Sequence, residues 1–198
     1  MNKVKNEASS NLDEDAFDLL LPEKIMMKSK RFFTPASIAI QAAKWLSGSD
    51  NRNILDIGAG VGKFCLFGAL NTNSNFTGIE MRSHLVKIAE DVFRYFGTKN
   101  AKIIHGNITE FQFGEFSAFY LYNPFHENIV PFLRMDDNIL LSEDFYCIYI
   151  QHTRAQLATA KIGTRLATYH GCNSEVPASY KMVDKFYGGD LKFWIKEK

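Results

Sequence analysis

Little in this chain of 198 residues points to a membrane, a metal or an oxidising compartment. No apolar run approaches the ~20 residues that a bilayer-spanning helix needs. The stretch from Met1 to Asp15 is polar and charged, without the apolar centre of a secretory signal, so a cytoplasmic location is expected. Cys65, Cys147 and Cys172 are odd in number and far apart, with no ligand-like spacing. Reduced thiols are therefore expected, rather than a disulfide framework. The five histidines form no pair at helical ligand spacing, and no metal is expected. Charge of one sign is lacking too: 23 basic residues face 22 acidic ones, for a net +1. That balance neither requires nor excludes a polyanionic partner. Internal repeats and low-complexity tracts are absent, and nothing in the pattern sets an oligomeric state. At 46% apolar, the chain can bury the core of one domain.

What is present is concentrated in Asn53-Ile54-Leu55-Asp56-Ile57-Gly58-Ala59-Gly60-Val61-Gly62-Lys63. Ile54, Leu55 and Ile57 suit a strand covered on both faces of a parallel sheet. Gly58, Gly60 and Gly62, at every second position, allow a tight turn and close approach of bare backbone to a flat ligand. A dinucleotide fingerprint would place its third glycine at 63, where this chain has Lys63. A pyrophosphate also gains nothing from Asp56 at the lip of the turn, whereas a cationic ligand would. This Asp-x-Gly-x-Gly-x-Gly run resembles motif I of the class I S-adenosylmethionine-dependent methyltransferases, whose cofactor carries a sulfonium and a free amino acid.

Later segments extend the resemblance. Asn75 to Glu80 reads as a second strand, and Glu80 lies twenty residues after Gly60, where a carboxylate can accept both ribose hydroxyls. Taken alone, Glu80 could equally be a solvated residue opening the next helix, for which Ser83 is the better N-cap. In register with Asp56 and the three glycines, it reads as the ribose acceptor. Ala101 to His105 reads as a third strand followed by Asn107 and Ile108. In the family, that turn carries an acid or amide for the adenine amino group, with an apolar neighbour on the purine. Ser117 to Tyr122 reads as a fourth strand running into Asn123-Pro124-Phe125-His126. This tetrapeptide resembles motif IV of amino-methyltransferases, in which Asp/Asn/Ser-Pro-Pro-aromatic grips a planar amine. Asn123 and Pro124 match, but Phe125 replaces the second proline and His126 stands at the aromatic position. His126 is either a base or a solvated loop residue.

Upstream, Phe33-Thr34-Pro35 resembles the segment that closes over the methionine end of the cofactor in adenine-modifying enzymes. Thr34 as N-cap and Pro35 as first helical residue explain it structurally as well. Ile38, Ala42, Trp45 and Leu46 then form the apolar face of a helix from Ala36. The basic run Lys28-Ser29-Lys30-Arg31 is either a phosphate contact or a solvated linker.

The alternating pattern points to an α/β fold, and the resemblance implies a Rossmann-like, doubly wound, seven-stranded, mostly parallel sheet with helices on both faces, closed by a C-terminal antiparallel hairpin. Ser83 to Phe96 has helical periodicity, with Leu85, Ile88, Ala89, Val92 and Phe96 inward. A fifth strand is expected over Phe145 to Gln151, and the hairpin over Tyr180–Tyr187 and Leu191–Ile195. Residues 1–30 form a loosely attached lead-in, partly helical or flexible, with a short helix over Phe17 to Leu21. The resemblance implies that residues 31–198 form the S-adenosylmethionine-dependent methyltransferase domain.

The resemblance implies methyl transfer from S-adenosyl-L-methionine to an amine nitrogen of a nucleic acid or protein. Asn123, Pro124 and Phe125 would hold the acceptor. Phe33, Thr34, Asp56, Gly58, Ala59, Gly60, Gly62, Lys63, Glu80, Met81, Asn107 and Ile108 would hold the cofactor. A non-catalytic S-adenosylmethionine- or RNA-binding module of the same fold is the alternative. An NAD-dependent oxidoreductase is the lesser one, against which Lys63 argues.

Overall fold

The structure is a computed structural model and describes residues 12–50, 52–171 and 173–198. Cys172 and the first eleven residues of the lead-in lie outside the described residues. Strands β1 (Asn53–Ile57), β2 (Asn75–Glu80), β3 (Ala101–His105), β4 (Ala118–Tyr122), β5 (Arg165–Tyr169), β6 (Tyr180–Phe186) and β7 (Leu191–Lys196) form one sheet. Their order is β3-β2-β1-β4-β5-β7-β6. β1 to β5 run parallel, and β7 enters antiparallel between β5 and β6. Strand order reverses between β1 and β4, so a crevice opens outside their carboxyl ends, where ligands bind in open α/β sheets. The doubly wound expectation holds.

Alternation along the strands divides the core. Ile54, Phe76, Tyr120 and Phe193 face one side and pack with α4 (Ala36–Ser47), α5 (Lys63–Asn71) and α6 (Ser83–Phe96). Leu55, Ile57, Phe119, Leu121 and Leu166 face the other, beneath α7 (Glu143–Ala158) and Phe113 and Phe116 of the β3–β4 connection. Phe64 stacks on Tyr120 with ring centroids 3.9 Å apart, joining α5 to β4.

Three local expectations are overturned. The segment Phe145 to Gln151 is not a strand but the middle of α7. Ser142 caps this helix by accepting from the Phe145 N–H, and Glu143 and Asp144 fill its first turn. Tyr149, Thr153 and Leu157, four residues apart, form its buried line. The fifth strand is instead Arg165–Tyr169. Neither expected cap is used: Pro35 precedes α4, while Thr34 bonds the Tyr120 hydroxyl at 3.0 Å. Ser83 lies inside α6, preceded by Arg82.

The described part of the lead-in is not loosely attached. Its first helix, α1 (Glu14–Asp18), lies one turn earlier than expected and is capped by Asp13. Two further single turns, α2 (Glu23–Met26) and α3 (Ser29–Phe32), follow it. Phe17 and Leu21 are buried in the core beside Phe67, so the lead-in gains from apolar burial as the domain does.

Candidate active site

At the carboxyl ends of β1, β2, β3 and β4 lies a cavity of about 410 Å³. Of the residues expected at the site, it is lined by Phe33, Gly58, Gly60, Glu80, Met81, Asn107, Ile108, Asn123, Pro124, Phe125 and His126. The residues expected from the sequence make up less than half of the wall.

The cradle is built by the β1–α5 turn. Gly58 and Ala59 both donate N–H groups to the Ile79 carbonyl at 3.0 Å, clamping the turn to β2. Gly58 has φ +76° and passes Pro124 so closely that a Cβ would lie 2.7 Å from the proline Cβ. Gly60 has φ +56° and faces the Phe33 ring, where a Cβ would approach to 3.0 Å. Only glycine combines that backbone with that closeness.

Glu80 ends β2 with both oxygens used: Oε2 accepts from the Gly60 N–H at 3.0 Å and Oε1 from the Arg82 N–H at 2.8 Å. Burial nevertheless raises its carboxyl above the usual range, because these bonds recover only part of the lost hydration. It lines the cavity as an acceptor with lone pairs to spare.

Other expected residues lie elsewhere or are already engaged. Asp56 is 3% exposed and sits behind the turn, not on the cavity wall. Its Oδ2 accepts from the Cys65 thiol at 3.6 Å, and burial pushes its carboxyl up to about 8, with Glu80 adding to the rise. Direct contact between an ionised Asp56 and a cationic ligand is therefore not what this geometry offers. Gly62 packs under the Phe93 ring of α6 and serves helix packing, not the cavity. Ala59 and Thr34 are likewise buried off the wall. Lys63 points away from it: its ammonium pairs with Glu14, and with Asp18 at 3.2 Å, and donates to Ser29. Asn107 lines the cavity, but its Oδ1 already accepts from Thr109 N and Oγ1 at 3.1 and 3.0 Å. The oxygen expected to accept from an adenine amino group is thus committed to the local turn.

Beyond Pro124 the chain folds over the mouth, held by Arg82. This buried guanidinium reaches Glu127 at 2.8 Å, Asp136 at 3.1 Å and Glu80 at 3.9 Å. Glu127 also accepts from Met135 N at 2.7 Å, and Lys28 donates to the Met135 carbonyl. Of the basic run, Ser29 is buried against Asp18 and Arg31 lines the cavity, so the run is not simply a solvated linker. Sequence reasoning missed Arg82, Glu127 and Asp136, whose roles arise from long-range pairing. It also missed Tyr122 and His170, which line the cavity at the ends of β4 and β5. The signal for His170 was the apolar run Leu166-Ala167-Thr168-Tyr169 before His170-Gly171, obscured by the strand expected at 145–151.

Among the described residues, no group of His, Cys, Asp and Glu side chains could hold a metal, and no helix is long and apolar enough to cross a membrane.

The family model described as "Methyltransferase domain" matches residues 48–119, the run from the end of α4 into β4 that carries the cradle and Glu80. No curated protein matches the chain by sequence. Among solved structures, an RNA methyltransferase from Salinibacter ruber in complex with S-adenosyl-L-homocysteine is 18% identical, with a TM-score of 0.57 over 83% of this chain and 94% of that one. A SAM-dependent O-methyltransferase from Thermotoga maritima is 18% identical, with a TM-score of 0.55 over 89% of this chain and 72% of that one. TrmN from Thermus thermophilus is 17% identical, with a TM-score of 0.56 over 86% of this chain and 53% of that one. At these identities the likeness is one of fold, and the Rossmann-like architecture that these methyltransferases share is the architecture of this chain.

Proposed function

We propose that the chain is an S-adenosylmethionine-dependent methyltransferase that acts on an amine nitrogen of a nucleic acid or protein. The observation that carries this reading is the pairing of the Gly58–Gly60 cradle with Glu80 in one cavity at the topological switch point. The matched family model covers that same segment, and the Salinibacter neighbour is an RNA methyltransferase holding the spent cofactor.

The residues present fit such a cofactor. Gly58 and Gly60 present side-chain-free backbone to the cavity, and Glu80 offers carboxylate lone pairs to vicinal hydroxyls. Met81 and Ile108 supply apolar surface, and Phe33 closes the cradle. When bound, the cofactor supplies an activated methyl group on a cationic sulfur. The chain's own residues then need to orient an acceptor and exclude water. Asn123 and the Pro124 carbonyl would accept from the acceptor's N–H groups, with Phe125 buried behind them against Tyr149. Placement of this kind is worth several kcal/mol, on the order of an effective-molarity advantage.

Calorimetric titration with S-adenosylmethionine, S-adenosylhomocysteine and NAD tests the cofactor. Transfer of a tritiated methyl group onto separated RNA, DNA, protein and small-molecule pools tests the reaction. Binding of the first two ligands with label in the RNA, DNA or protein pool is the expected result. Binding without label in any pool would leave the non-catalytic alternative, and binding of NAD alone would overturn the reading.

A further inference from the structure

The carboxyl ends of β4 and β5 carry a matched pair of unusual residues. Tyr122 and Tyr169 are register partners on these parallel strands. The residue after each one, Asn123 at φ +42° and His170 at φ +57°, adopts the left-handed backbone without being glycine. Such strain persists where the surroundings impose it, and it clusters at sites of function. Gly171 follows so closely that a Cβ there would lie 3.1 Å from Asn123 Oδ1, which places the two strand ends in contact. Both Asn123 and His170 line the cavity.

His170 is oriented from its far side. Its backbone N–H donates to the Asp190 carbonyl at 2.8 Å, and its ring Nδ1 lies 3.3 Å from Asp190 Oδ1. A proton on Nδ1, directed to that carboxylate, leaves Nε2 with a lone pair. The ring packs beside Tyr169, with centroids 4.1 Å apart, and Tyr122, at 5.7 Å. The ionisable groups around it are Tyr122 on β4, its own neighbour Tyr169, Tyr187 and Asp190 on the β6–β7 turn, and Arg31, whose carbonyl accepts from Tyr122. Burial raises the phenols of Tyr122 and Tyr169, so both stay neutral near pH 7 and neither competes as a base. His126 also lines the cavity, but among the described residues no carboxylate pairs with its ring.

We infer that His170 is the proton acceptor of the transfer reaction, with Asp190 as its positioning residue, and that the acceptor is a planar group bearing an N–H beside Asn123. The inference rests on the transferase reading above. As the bond from acceptor nitrogen to methyl carbon forms and the methyl–sulfur bond breaks, the nitrogen must shed a proton. That proton passes to Nε2 and then to solvent, and the positive charge moves from donor sulfur to imidazolium.

The test uses the full chain. His170→Asn keeps a side chain that tolerates the left-handed backbone, and His170→Gln serves as a second variant. Both should bind S-adenosylhomocysteine nearly as wild type does, yet transfer tritiated methyl ~10²-fold or more slowly, into whichever of the RNA, DNA and protein pools wild type labels. The acid limb of the wild-type rate profile should vanish in both. Asp190→Asn should also slow transfer, because the ring loses the carboxylate that holds its Nδ1 side, and Asp190→Glu should restore it. Nitrogen-15 NMR of the ligand-free protein should show the Nδ1–H tautomer for His170 at alkaline pH, and a redistributed tautomer in Asp190→Asn. An Nε2–H tautomer in wild type, or equal transfer by both His170 variants at every pH, would overturn the inference while leaving the transferase reading intact. Absence of label from wild type in every pool would overturn both.

Discussion

Glu80 accepts the amide proton of Gly60 at 3.0 Å, so the carboxylate at the end of β2 fixes the cradle at the end of β1. Glu80→Ala would leave that N–H unpaired and remove the hydroxyl acceptor together. A charged hydrogen bond is worth about 1.5–3 kcal/mol, so affinity for S-adenosylhomocysteine should fall by roughly 10- to 100-fold. Glu80→Gln should lose less. Titration calorimetry measures both, and unchanged affinity would remove Glu80 from the site.

Gly60→Ala forces a side chain into left-handed backbone 3.0 Å from the Phe33 ring. The backbone penalty alone is about 1–2 kcal/mol. Lower stability in equilibrium denaturation and weaker S-adenosylhomocysteine binding in calorimetry are expected, because the Phe33 ring that lines the cavity must give way.

Asp56 makes folding depend on pH. Its carboxyl rises from 3.8 to about 8 on folding, so between those values the unfolded chain gives up a proton that the folded chain keeps. Stability from this group is greatest below the lower value and falls as pH rises toward the higher one, by about 1.4 kcal/mol per pH unit. Asp56→Asn should flatten that decline and raise the melting temperature at neutral pH. A mutant with the wild-type pH profile would show that Asp56 does not titrate in this range.

Lys63 is 1% exposed and placed against two carboxylates, Glu14 and Asp18. Lys63→Met would leave those acids without their cation, a loss on the order of 3–5 kcal/mol for a broken buried pair. Equilibrium denaturation should show it. Adding Glu14→Gln and Asp18→Asn should recover much of the loss, since the remaining acids are then neutral.

Under the proposed function, Asn123→Ala should retain S-adenosylhomocysteine binding while methyl transfer falls, because Asn123 lines the cavity beside the end of β5 and would meet the acceptor there. Equal turnover would take Asn123 out of the reaction.

Much of this was legible because local pattern and tertiary demand agree. β2, β3 and α6 begin and end where periodicity put them, and Gly58, Gly60 and Glu80 meet because a strand–turn–helix unit fixes their separation. The segment over Phe145 to Gln151 misled because its aromatic, half-apolar run fits a strand as well as a helix. Only the Ser142 cap and the line Tyr149–Thr153–Leu157 decide between them. Misplacing that strand hid His170. Asp56 misled differently: its position was right, but strand alternation turns its side chain into the core with Cys65. The Arg82 pairs with Glu127 and Asp136 cross 45 and 54 residues, and no local rule anticipates them.

One carboxylate of the lead-in joins two helix starts. Glu14 Oε2 accepts from Ala36 N at the start of α4, just after Phe33, while Oε1 pairs with Lys63 at the first position of α5, just after the glycine turn. Wall and floor of the cleft are thereby riveted to a common peg that does not itself line the cavity. Whatever loosens α1 should be felt as slack at both helix starts, and through them at Phe33 and the glycine turn.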